Sequence, residues 1–166
     1  MSRPMTVSGS VEIAADPQTI YAEIADPDRM GRWSPENVGT GDPGRGALTT
    51  GESFVGHNRR GPARWSTRCT VIAAEPGERF AFRVHRYGFG RVLVPVSVAT
   101  WSYTFEEVAP GRTRVTETWQ DDRTRWPDPL AARFDRLVTR GRTFDVYQAG
   151  NIRRTLDRLR EDLESR

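Results

Sequence analysis

The chain has 166 residues, 36% hydrophobic and 28% charged, with a formal net charge of +3. That length suits one domain, 1–166, with a real core; no apolar run reaches membrane-spanning length, and a lone Cys69 excludes an internal disulfide. All 25 basic residues are arginine, yet they are interleaved with 22 acids, which argues for a GC-rich coding sequence and against a nucleic-acid-binding stripe.

Val7, Gly9, Val11 and Ile13 alternate with Ser8, Ser10 and Glu12, the pattern of a half-buried strand. Two short helices follow. Asp16-Pro17 opens one that runs to Ile24, and Asp26-Pro27 opens another that runs from Asp28 to roughly Trp33. Both use Asp as N-cap and Pro at the first helical position. Pro35 then pushes Ser34 towards an extended conformation. Gly39-Thr40-Gly41-Asp42-Pro43-Gly44 spells G-x-G-x-x-G. No amphipathic helix starts after it, so it reads as a glycine-rich loop and not as a dinucleotide site.

From Glu52 to Trp119 the pattern is strands and turns. Phe54, Gly56 and Asn58 share a face, as do Trp65, Thr67, Cys69 and Val71. Phe80, Phe82 and Val84 form a third set, Trp101, Tyr103 and Phe105 a fourth, and Thr113, Val115, Glu117 and Trp119 a fifth. Side chains two apart point the same way. Arg68, Arg83 and Arg114 fall on the opposite, wet face. Tyr87 to Pro95 reads as a longer connection, too apolar for an ordinary exposed loop, and suggests a flexible lid or a homodimer contact. It should gather with the Arg59–Ala63 turn and the Asp122–Pro129 connection at one end of the sheet.

Asp128-Pro129 reads as the start of a long C-terminal helix. Phe144, Ile152, Leu156, Leu159 and Leu163 recur at helical spacing, with Gln148 a polar interruption. Gly141 and Gly150 are the places for a break. The order β, αα, about six strands, then a long helix gives an α+β class with one antiparallel sheet.

The inward set is rich in large aromatics but also holds Asn58 and Glu117. Shifting the register by one residue would bury Arg114 and expose Val115 and Trp119, so Glu117 points inward. An unpartnered buried carboxylate is costly. Either Glu117 is paired with an arginine or lies near a wet end of the sheet, or the sheet curves round a cavity with a few polar groups in an aromatic wall. Its donor would be Asn58, Tyr103, Tyr147 or Arg142. Any catalysis would be acid–base work by Glu117. His57 and His85 lie outward on separate strands, and Asp121-Asp122 sits among arginines, so neither a metal set nor a cofactor is expected. No serine lies in a nucleophile elbow, and Cys69 reads as a buried, inert thiol.

Asp16-Pro17, Asp26-Pro27, Trp33-Ser34-Pro35-Glu36, the Phe54…Asn58-Arg59…Trp65 pair, Trp101-Ser102-Tyr103 and Arg114-Val115-Thr116-Glu117 carry a resemblance. The chain, from about Thr6 to Glu164, resembles the SRPBCC (START/Bet v 1-like) superfamily, and within it actinobacterial proteins of the polyketide cyclase/dehydrase type. The resemblance implies a helix-grip fold: a curved sheet of about seven strands around the C-terminal helix, with a deep pocket between. It implies a pocket lined by Trp33, Phe54, Asn58, Trp65, Phe82, Trp101, Tyr103, Glu117, Trp119, Phe134, Phe144 and Tyr147. The expected partner is a hydrophobic small molecule, polyketide-, lipid- or aromatic-like. A metal-free cyclase or dehydrase is the enzymatic alternative, and a regulatory partner of another protein a weaker one. The N-terminus lacks the apolar stretch of a signal peptide, so the expected location is cytoplasmic.

Overall fold

Seven antiparallel strands form one sheet that curls around the C-terminal helix in a computed structural model describing residues 2–166. The elements are β1 (Thr6–Ile13), α1 (Pro17–Ile24), α2 (Met30–Trp33), β2 (Asn37–Thr40), β3 (Ser53–Arg60) and β4 (Ala63–Glu75). Then come β5 (Arg79–Phe89), β6 (Val92–Ala109), β7 (Arg112–Asp121), α3 (Asp128–Val138) and α4 (Phe144–Glu164). The strand order is β1-β7-β6-β5-β4-β3-β2. Consecutive strands from β2 to β7 are neighbours, and β1 closes on β7. The chain therefore passes from one sheet edge to the other through α1 and α2.

The helix starts follow local chemistry, with two differences from expectation. Asp16 Oδ1 accepts from Thr19 N at 3.0 Å and caps α1, with Pro17 in its first turn. Asp26 Oδ1 instead accepts from Asp28 N at 3.0 Å, a turn bond, and α2 is a single helical turn that begins only at Met30. Asp128 does not cap α3 either. It lies in the first turn, and its carboxylate receives Arg3 at 2.7 Å.

The C-terminal stretch is two helices, broken at one of the two glycines. Gly141 has φ 102°, a conformation that costs a side chain dearly, and the chain turns there between α3 and α4. Gly150 lies inside an uninterrupted α4.

The strand faces match the alternation. Phe82 and Val115 are buried and Trp65 is half-buried, while Arg68, Arg83 and Arg114 are exposed. The seventh strand, β2, occupies part of the glycine-rich segment; its four residues include a register shift between Asn37 and Gly39. Residues 87–95 are not a loop. They complete β5 and β6, which pair as far as Phe89↔Val92. Gly90, at φ 61°, opens a two-residue hairpin connection that suits glycine in its first position.

The core lies between the sheet and α1, α2 and α4. Ile13, Ile20, Ile24, Trp33, Phe80, Ile152 and Leu159 are almost fully buried there. Gly9 sets the approach of α4 to β1: a Cβ on it would lie 2.8 Å from Ile152 Cγ2. Among the described residues, no helix is long and apolar enough to cross a membrane.

Candidate functional site

Between the sheet and α4 the packing is incomplete. The gap is a cavity of about 220 Å³. Its walls come from β3 to β7, from α2 and its exit, and from one face of α4. Of the anticipated pocket residues, Trp33, Phe54, Asn58, Trp65 and Phe82 line it, as do Trp101, Tyr103, Glu117, Trp119 and Phe144. Phe134 and Tyr147 do not. Phe134 packs behind the wall, against Trp126 at 5.5 Å and Phe144 at 6.3 Å. Tyr147 turns away because its hydroxyl donates to Glu36 and its ring stacks under Arg60 at 4.2 Å.

Glu117 sits opposite Tyr103 in the β6–β7 register and is 2% exposed. The Tyr103 hydroxyl donates to its Oε1 at 2.8 Å, which settles the donor among the four candidates. Asn58 bonds within its own neighbourhood instead, to Gly56 O at 3.3 Å and Thr67 Oγ1 at 3.4 Å. Burial pushes the Glu117 carboxyl up to about 8, against a smaller downward pull from Tyr103. Burial, then the Glu117 charge, also raises Tyr103 well above the usual phenol range. Cys69 lines the same cavity, and burial pushes its thiol up to about 12. That is far from the thiolate that reactivity needs.

The rim is charged where the interior is not. Glu36, Arg60, Ala63, Val138 and Arg140 line it. Arg60 Nε donates to Glu36 Oε1 at 2.7 Å, and Nη1 donates to Val138 O at 2.7 Å. Its guanidinium also lies 5.2 Å from the Trp65 ring. Burial, then the bond to Glu36, raises Tyr147 to about 12.

A second ionic cluster fixes the wall from behind. Arg123, 2% exposed, meets Asp121 with two parallel bonds of 2.9 and 2.8 Å and reaches Asp135 at 2.7 Å. Burial alone would raise the Asp121 carboxyl, but bonds from Arg123 and Arg3 hold it below its usual value. The other oxygen of Asp135 accepts from Phe144 N at 3.0 Å. It thereby caps α4, whose Thr143 makes no side-chain cap, and holds Phe144 against Trp119 at 6.2 Å.

Several lining residues were not anticipated: Glu36, Arg60, Gln148, Asn151 and Thr155. The last three have a signal in the sequence. Together with Phe144 they follow helical spacing, one stripe over from Ile152, Leu156 and Leu159, so the interruption at Gln148 marks the cavity-facing side of α4. Glu36 and Arg60 meet only through the fold.

The sequence from residue 4 to 164 matches the family model described as polyketide cyclase / dehydrase and lipid transport. The chain belongs to that family. Solved structures share the fold of this member of the polyketide cyclase / dehydrase and lipid transport family. A polyketide-cyclase-like protein from Corynebacterium glutamicum is 26% identical, covering 99% of this chain and 94% of its own, with TM-score 0.63. A START superfamily protein from Mycobacterium smegmatis is 13% identical, covering 98% and 99%, with TM-score 0.69. A second M. smegmatis protein, Ms6760, is 20% identical over 97% and 92%, with TM-score 0.66. No curated protein matches the sequence significantly. The chain thus has a START-like helix-grip architecture, with an aromatic-walled cavity between sheet and α4.

Proposed function

We propose that the chain binds a compact, apolar, aromatic-bearing small molecule in the cavity between sheet and α4. The observation that carries this reading is a space of about 220 Å³ in which Trp33, Phe54, Phe82, Trp101, Trp119 and Phe144 supply an aromatic wall, with Asn58, Tyr103, Glu117 and the polar side chains of α4 set into it. That volume is below the range of drug-sized pockets, so the ligand is small or extends through the rim. Native mass spectrometry of protein purified from its source tests it. A co-purified molecule released on denaturation is the expected result. Protein that is consistently empty, and that no apolar aromatic compound stabilises against heat, would refute it.

A second reading is favoured by the state of Glu117. A carboxyl titrating near 8 beside a phenol is suited to proton transfer, as a cyclisation or dehydration needs. Glu117→Gln separates the two: it stops turnover with binding retained if the site is catalytic, and alters affinity alone if the protein is a carrier.

A further inference from the structure

Two buried side-chain polar atoms among the described residues have no hydrogen-bond partner: Nε1 of Trp33 and Oε2 of Glu117. Both residues line the same cavity. Tyr103 links them, with its ring edge-on to Trp33 at 6.1 Å and its hydroxyl on Glu117 Oε1. Buried polar atoms are nearly always satisfied. Two bare ones beside one space point to a partner that comes from outside the chain. We propose that this end of the cavity receives a neutral acceptor oxygen, the carbonyl of a ketone, aldehyde or quinone, on an otherwise apolar ligand, and that it turns carboxylates away. The proposal rests on the reading of the cavity as a ligand pocket and adds the ligand's polar chemistry.

The atoms decide the class. Indole Nε1 can only donate. Tyr103 has already given its hydrogen to Glu117. No counter-charge serves Glu117 from any wall of the cavity. β6 brings Tyr103, β4 brings Cys69, β5 brings Tyr87, and α4 brings the uncharged Gln148, Asn151 and Thr155. The charged lining groups, Glu36, Arg60 and Arg140, belong to the rim, where Arg60 is tied to Glu36. Burial without a cation keeps the carboxyl protonated at neutral pH. Its hydrogen belongs on Oε2, because Oε1 is the atom that accepts from Tyr103. The site therefore offers two donors, and a carbonyl oxygen has two lone pairs to meet them. A carboxylate would bring an uncompensated charge into the same place.

Three probes of one shape test this: acetylnaphthalene, ethylnaphthalene and naphthoate, titrated against the fluorescence of the cavity tryptophans. Acetylnaphthalene is expected to bind at least about tenfold more tightly than ethylnaphthalene at neutral pH, with naphthoate the weakest. That preference should shrink as pH passes the Glu117 value of about 8. Trp33→Phe and Glu117→Leu should each bring the acetyl-over-ethyl ratio towards unity. Glu117→Gln, whose amide still donates, should keep the ratio and abolish its fall at alkaline pH. If Trp33→Phe does not fold, the two Glu117 variants decide. Equal binding of the acetyl and ethyl probes overturns the proposal and leaves the pocket reading standing. Tightest binding of naphthoate overturns it in favour of an anion site. Failure of all three to bind removes the pocket reading, and this proposal with it.

Discussion

Proton uptake at Glu117 couples the cavity to pH. The carboxyl titrates near 8 in the folded chain against 4.5 for an ordinary glutamate. The folded state therefore holds the proton more tightly. The stability this contributes is complete below the unfolded value and is lost as pH rises through the folded one, by up to ~5 kcal/mol. Glu117→Gln removes that dependence. Denaturant midpoints of the two proteins should diverge from about pH 5 to pH 9, with the wild type losing ground throughout. Parallel curves would mean that Glu117 is not protonated in the fold. The inward position of Glu117 was legible from Val115 and Trp119 on either side, because alternation fixes a face. Its partner was not. Tyr103 lies fourteen positions away, and only the pairing register of β6 with β7 selects it over Asn58, Tyr147 or Arg142.

Strands that share a face still differ in what lies beneath them. Trp119 is 1% exposed and packed on Phe144, whereas Trp65 is half-buried at the rim, loosely stacked on Tyr87 with ring centroids 6.5 Å apart. Trp119→Ala should cost about 3–5 kcal/mol, and Trp65→Ala clearly less, because Trp119 is fully buried against Phe144 while Trp65 already stands partly in solvent. Chemical denaturation of the two variants checks the order. Alternation read the inward face of both but could not rank them, since depth depends on where α4 ends. The same limit explains the β5–β6 hairpin. Tyr87 to Pro95 reads as a lid or dimer contact because it is too apolar for an ordinary exposed loop. In fact Gly90 is the turn, and Gly88 allows the close crossing: a Cβ there would collide with the Val92 backbone. The break at Gly141 was legible as a choice of two glycines. Gly150 stays in the backbone of α4, which runs through it unbroken, whereas Gly141 takes a positive φ.

The molecule as a whole is tied together by buried charge as well as by its core. Arg123 joins the end of β7 to α3, and through Asp135 to the start of α4. Arg123→Met leaves the buried Asp135 without its cation and Asp121 with Arg3 alone, and should destabilise the fold by about 3–5 kcal/mol. It should also loosen Phe144, so the loss of ligand-induced thermal stabilisation should exceed that of an exposed control such as Arg153→Met. Composition gave no hint of this. With 25 arginines in the chain, those that become buried look the same as those that stay in water. The fold class, by contrast, was readable from the order of periods along the chain. One further property follows from how the ends are placed. Thr6 enters β1 opposite Gln120, at the rim, while α4 finishes beyond the other end of that strand, where Glu164 accepts from Ala14 N at 2.9 Å. The two termini thus leave from opposite ends of the molecule. Tension applied between them drags β1 lengthwise along β7, loading all eight of its paired residues together instead of peeling them singly. A pull along that axis would therefore meet the β1–β7 ladder in shear.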